Sequence, residues 1–231
     1  MSPDERQKVV KTSDYFIDLG MPYDEVVKHV EIGNPITRER ELIEMGNCVN
    51  GKSLDNRLSV YVLLSCLKEL QGQEIPYDLF AVFTVQEEVG IRGAIVASQQ
   101  INPDFGIALD TTIAYDLPGA KPQDKVTELG KGTAIKIMDS MTICDDRMVK
   151  YMKKMASKNS IPYQLELMIG GGTDTAALQR NGKNGSIAGA ISIPTRHLHQ
   201  VVEMAHIEDI KWSIDLLKSC LLHLDEPSWE A

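Results

Sequence analysis

Phe105-Gly106-Ile107-Ala108-Leu109-Asp110 decides how the rest of the chain is read. Five uncharged residues closed by a carboxylate describe a strand buried on both faces, with an acid standing at its C-terminal end. Helix-like and strand-like patterns alternate around it. Upstream, residues 93–100 read as a helix and residues 78–85 as another short, nearly all-apolar buried strand. Before those, Leu58, Val62, Leu63, Leu67 and Leu70 recur at three- and four-residue spacings until Gln71-Gly72 ends the stripe, which predicts a helix. Downstream, residues 133–137 predict a strand and 145–157 a helix, with Asp145-Asp146 at the start, where negative charge suits the helix dipole. Residues 163–168, 173–179, 186–193 and 207–222 continue as strand, helix, strand, helix. This order predicts an α/β fold, a mostly parallel sheet with helices on both faces.

The first 50 residues have a different texture. Tyr15-Phe16-Ile17 reads as extended, Gly20 as a turn, residues 24–30 as a brief helix, and Gly33-Asn34-Pro35 as a break before an extended stretch over 41–49. Few large apolar residues occur there, so this segment reads as part of a small, mainly β unit unable to stand alone.

Composition narrows the function. The chain has 231 residues, 24 Lys+Arg against 33 Asp+Glu, and a net charge of −9. Its apolar fraction of 43% argues against intrinsic disorder. The acidic balance argues against a nucleic-acid partner. No apolar run reaches the ~18 residues of a membrane span, and the first residues lack the apolar core of a signal peptide, so the expectation is a cytoplasmic protein without a membrane partner. Cys48, Cys66, Cys144 and Cys220 show no CxxC spacing, and Cys66 and Cys220 sit in apolar helical patterns as reduced core thiols.

Chemistry gathers where apolar strands end, the place where open α/β sheets bind ligands. Glu87-Glu88 follows the stretch over 78–85; the pair either faces a helix dipole, or one acid ligates a cation while the other takes a proton from water. Asp110 is either a turn residue or a ligand on a rigid strand. Asp55, just ahead of a long helix, reads alone as an N-cap. His197 and His199, two apart, share a face if the segment is extended, so either can reach a strand-end site. His29, His206 and His223 read as structural or surface residues. Gly170-Gly171-Gly172-Thr173-Asp174 precedes a helix but matches neither dinucleotide nor P-loop spacing, so it reads as a loop whose backbone approaches a substrate closely. Asp55, Glu88, Asp110 and a histidine form a hard O/N donor set, of the kind that builds two-metal hydrolytic sites.

With these motifs in order, the sequence resembles the M42 family of metal-dependent aminopeptidases. The resemblance rests on Gly51-Lys52-Ser53-Leu54-Asp55-Asn56-Arg57, on Thr84-Val85-Gln86-Glu87-Glu88-Val89-Gly90-Ile91-Arg92-Gly93-Ala94 and on Leu109-Asp110-Thr111. It continues through Gly171-Gly172-Thr173-Asp174 and Ser192-Ile193-Pro194-Thr195-Arg196 to His199 and Val202-Glu203-Met204. It implies that Asp55 bridges two divalent metal ions (zinc, or cobalt or manganese). Glu88 and His199 would complete one site, Asp110 would belong to the other, and Glu87 would be the general base. It further implies short peptide substrates, contacts to them from Gly171, Gly172, Thr173 and Asp174, and a homo-oligomer.

The sequence also departs from the family. The second metal site uses a histidine from a His-x-Asp element ahead of an inserted β domain, and no His-x-Asp occurs here. Residues 1–50 therefore read as part of that insert and 51–231 as an α/β catalytic domain lacking its first strands, with one cation held tightly rather than two. Two other readings stay open: a catalytically impaired chain with a structural or oligomerising role, and a glycoside hydrolase using two carboxyls without metal.

Overall fold

The computed structural model describes residues 9–229, and the chain divides after Glu39 into a small and a large unit. Within residues 9–39 the described backbone forms a 3-10 turn at Thr12–Asp14 and one helix, α1 (Tyr23–His29), and no side chain is buried. Tyr15-Phe16-Ile17 forms no strand. Its apolar residues are exposed, Phe16 to 88%.

The larger unit opens with a hairpin, β1 (Ile43–Met45) and β2 (Cys48–Gly51), closed through Gly46 at φ +61, a conformation that suits glycine. Next come α2 (Leu54–Glu69), α3 (Arg92–Ile101), β3 (Phe105–Ile113), β4 (Thr133–Met138), α4 (Asp146–Lys158), β5 (Tyr163–Leu167), α5 (Thr175–Asn181), β6 (Ile187–Arg196), β7 (Glu203–His206) and α6 (Ile207–Leu222). β2 pairs antiparallel with β7, so the hairpin folds with the large unit, which begins at Arg40 rather than at Gly51.

The seven strands form one sheet in the order β1-β2-β7-β6-β4-β5, with β3 on β6. β3 runs parallel to β6 along its whole length and β4 parallel to β5, while the other pairings are antiparallel. The class is α/β, and the sheet is mixed. Strand alternation sorts the two faces. Ile191 and Ile193 of β6 join a core with Val62 and Cys66 of α2, Met148, Met152 and Met155 of α4, and Ile214 and Leu217 of α6. Gly189, two residues ahead of Ile191 on the same face, leaves room for Met148 and Met152. On the other face Gly106 of β3 meets Leu178 of α5, and Ile91 and Ala94 pack with Ala176 and Ala177.

Residues 78–85 correct the sequence reading. No strand forms there, and Phe80, Phe83 and Val85 are 60%, 50% and 68% exposed. An apolar run reports affinity for a sheet interior; it does not supply the neighbouring strand whose N–H and C=O groups would complete a ladder. The cysteines follow expectation: all four are free, and burial pushes the Cys66 and Cys144 thiols up to about 12. Among the described residues, no helix is long and apolar enough to cross a membrane.

Candidate metal centre

Three chain turns deliver the acids and the histidine. The first joins β2 to α2. Ser53 is left-handed at φ 54, and Asp55 and Asn56 depart from helical geometry, with a cis peptide between them. Asn56, not Asp55, caps the helix: its Oδ1 accepts the Ser59 N–H at 3.3 Å. The same side chain donates through Nδ2 to Asp110 Oδ1 at 2.9 Å and to the Leu109 carbonyl at 3.3 Å. Asp55 is thereby released from capping, and its carboxylate faces His199.

The second turn carries Glu87 and Glu88 on a 3-10 turn, Glu87–Val89, entered through Gln86 at φ 58. Gly93 of α3 anchors it, donating its N–H to the Val85 carbonyl at 2.9 Å. The fit is close enough that a Cβ on Gly93 would lie 2.5 Å from the Val85 nitrogen. Thr84 Oγ1 donates to Asp174 Oδ2 at 2.7 Å, tying this turn to the glycine loop that opens α5.

The third turn follows β6. Residues 197–200 close on themselves, the Gln200 N–H reaching the His197 carbonyl at 3.1 Å, with His197 and His199 at φ 62 and 60. The segment is not extended, so the two histidines do not share a face, and only His199 enters the cluster. Left-handed backbone at Ser53, Gln86, His197 and His199 is costly for non-glycine residues, about 1–3 kcal/mol each, and such strain gathers at functional sites.

These turns bring together Asp55, Glu88 and His199, each with a ligand-type atom within 4.8 Å of the others. His199 Nε2 lies 3.1 Å from Asp55 Oδ2 and 3.4 Å from Glu88 Oε1. Asp55 forms the buried floor, at 10% side-chain exposure, while His199 at 66% and Glu88 at 62% leave the mouth open to solvent. Two carboxylates and one imidazole nitrogen converging on a point fit a divalent cation, which would also offset the repulsion between the acids. Asp110 is not in the three-residue cluster; its carboxylate takes the Asn56 amide and the Thr111 N–H at 2.8 Å.

Electrostatics mark the same place. Burial, with Asp174, Glu88 and Asp55 adding and His199 opposing, pushes Glu87 up to about 7. Burial, then the Asp55 carboxylate, also raises Glu88. Burial holds Asp110 well above the ordinary carboxylate range despite the Thr111 N–H, with Asp55 and Glu87 adding.

Of the glycine loop, Thr173 donates to Asp139 Oδ2 at 3.4 Å, and Gly172 is so close to Met141 that a Cβ would lie 2.5 Å from its sulfur. Sequence reasoning gave Asn56 and Glu203 no role. Glu203 is 2% exposed and binds both the Asp55 and His199 backbones. Its only signal was an acid in Val202-Glu203-Met204, just after the histidine turn.

The fold agrees with what this chain is similar to. An aminopeptidase described as putative from Acetivibrio thermocellus is 38% identical over 214 residues, covering 92% of this chain and 63% of that protein. A TET aminopeptidase from a marine sediment Thaumarchaeota archaeon superposes with TM-score 0.92 at 34% identity, over 98% of this chain and 64% of that one. The TET1 peptidase of Pyrococcus horikoshii, described as assembling into a tetrahedron or a large octahedral shell, gives TM-score 0.81 at 27% identity, over 96% and 64%. The chain thus spans under two thirds of the length of these relatives. The sequence profile of the M42 glutamyl aminopeptidase family matches residues 1–216, and the chain belongs to that family.

Proposed function

We propose that this chain carries the catalytic half-site of a metal-dependent aminopeptidase, which releases N-terminal residues from short peptides. The observation behind this reading is the convergence of Asp55, Glu88 and His199, from three separate turns, to within 4.8 Å. These residues would hold the cation. When bound, it supplies Lewis acidity and lowers the pKa of a coordinated water. Glu87, next to a ligand but outside the cluster, takes the proton of the attacking water and passes it to the departing amine. In the metal-free chain burial and the neighbouring acids push Glu87 up to about 7, which marks it as a carboxylate ready to accept a proton. Asn56 holds Asp110 in place at 2.9 Å, and Asp110 is the candidate ligand for a second, weaker cation. Gly171, Gly172, Thr173 and Asp174 line the substrate side, where Gly172 packs closely on Met141 and the Asp174 side chain accepts a hydrogen bond from Thr84.

Self-association into a homo-oligomer is part of the proposal, by analogy with the shell-forming relative. The test uses dialysed protein, Zn2+, Co2+ or Mn2+ added singly, and aminoacyl-anilide and short-peptide substrates. One tightly bound cation per chain, with hydrolysis lost in a chelator and restored by metal, is the expected result. Two tight cations overturn the one-site stoichiometry, and chelator-resistant hydrolysis overturns the metal reading. Light scattering at a single-chain mass would overturn the oligomer.

A further inference from the structure

β7 runs between β2, which leads to Asp55, and β6, which leads to His199. Glu203 is the first residue of β7, registered opposite Gly51 of β2 and one position beyond the pairing of Met204 with Arg196 of β6. Its carboxylate divides between the two sides. Oε2 accepts the Asp55 N–H at 2.9 Å and Oε1 accepts the His199 N–H at 3.1 Å. Its own carbonyl accepts the Asn50 side-chain amide at 3.1 Å, so the residue is fixed from behind.

We propose that Glu203 is a positioning residue, a splint whose two carboxylate oxygens set the separation and orientation of the Asp55 and His199 backbones before any cation arrives. The proposal deepens the metallopeptidase reading and rests on it for the consequence to metal binding. The geometry makes the splint specific. Both acceptor bonds go to the amides of candidate ligands rather than to their side chains, so Glu203 does not compete for the cation. His199 is held in left-handed backbone at φ 60, and a charge-assisted bond to its N–H offsets the cost of that conformation. Asn56, by contrast, acts on the side chain of Asp110. Groups that orient ligands from behind typically set affinity by about 10–100-fold.

The experiment compares the unsubstituted chain with Glu203→Gln and Glu203→Asp. Glutamine keeps the size but puts a donor against one of the two amides; aspartate keeps the charge but is too short to span both. In metal-free protein, hydrogen exchange followed by NMR should show the Asp55 or His199 amide, or both, exchanging at least about tenfold faster in each variant. Zn2+ titration by calorimetry should show Kd raised about 10–100-fold. Ser213→Ala, which removes the buried 2.7 Å bond to Thr133, should lower the melting temperature and leave the Zn2+ Kd unchanged. Unchanged exchange at both amides overturns the splint, and so does an unchanged Kd. If the unsubstituted chain binds no Zn2+, the metallopeptidase reading falls, and the exchange measurement alone decides the splint.

Discussion

Gly93→Ala tests how the base and one ligand are placed. A Cβ there would lie 2.5 Å from the Val85 nitrogen and 2.6 Å from its oxygen, both rigid backbone atoms. Non-bonded atoms settle near 3.5 Å, so α3 and the Val85 backbone must part by roughly 1 Å. That shift breaks the 2.9 Å bond from Gly93 N–H to the Val85 carbonyl and carries Glu87 and Glu88, two and three residues on, out of register with Asp55 and His199. Overpacking plus a lost hydrogen bond costs about 2–4 kcal/mol. At roughly 2–4 °C per kcal/mol for a chain of this size, the melting temperature falls by about 5–15 °C. A displacement near 1 Å in a catalytic group costs on the order of 100-fold in kcat/KM. Gly106→Ala is the comparison, since its Cβ would meet only the Leu178 side-chain end, at 2.7 Å, which can rotate away. The assays are thermal unfolding and aminopeptidase kinetics at saturating metal. A Gly93→Ala chain melting within about 2 °C of the unsubstituted one, with unchanged kcat/KM, refutes the close-packing argument.

Three further outcomes follow from the same geometry. Lys136 is fully buried between Glu166, on the neighbouring strand, and Asp139 at 3.5 Å; Lys136→Met leaves unpaired buried carboxylates and costs about 3–5 kcal/mol in chemical denaturation, while Lys136→Met with Glu166→Leu recovers part of it. Equal losses in the two would show that the ion pair is not the source. Burial raises Asp116, but the Arg196 guanidinium, at 2.5 and 2.8 Å, and the Leu129 N–H, at 2.9 Å, together outweigh it and hold the carboxyl below its usual 3.8. A depressed folded pKa gives stability that is full above the unfolded value and lost as pH falls through the folded one. Arg196→Met should therefore destabilise the chain at pH 7, with the gap closing in acid, and a gap that widens below pH 4 would contradict the assignment. Glu87 should titrate at about 7 in metal-free protein by carbon NMR and move downward when Zn2+ is added, whereas Glu87→Gln should leave Zn2+ binding intact and lower turnover by about 10²–10⁴. A Glu87 titration unmoved by Zn2+ would place the cation elsewhere.

Much of this was legible in the chain itself. Ile207–Leu222 forms as read, because an apolar stripe at helical spacing leaves one way to bury it. Phe105-Gly106-Ile107-Ala108-Leu109 becomes a strand because β6 lies beside it along its whole length. The equally apolar residues 78–85 do not, since no strand pairs with them. Asp55 looked like a cap because it stands one turn before a helical stripe, and local pattern could not show that Asn56 would do the capping. The two histidines looked equivalent because spacing assumes a backbone conformation, and a turn at residues 197–200 replaced the extended one.

The sequence alone determined the α/β class, the order of most elements and the family, since each depends on local periodicity or on motifs contiguous in the chain. The tertiary structure decided which of those motifs meet. Asp55, Glu88 and His199 converge because β7 places the ends of β2 and β6 on either side of Glu203, and because Gly93 lets the Glu87–Val89 turn approach α3. Strand register and close backbone approach are long-range packing outcomes: they depend on what the far side of the chain brings into contact, and no local pattern encodes that.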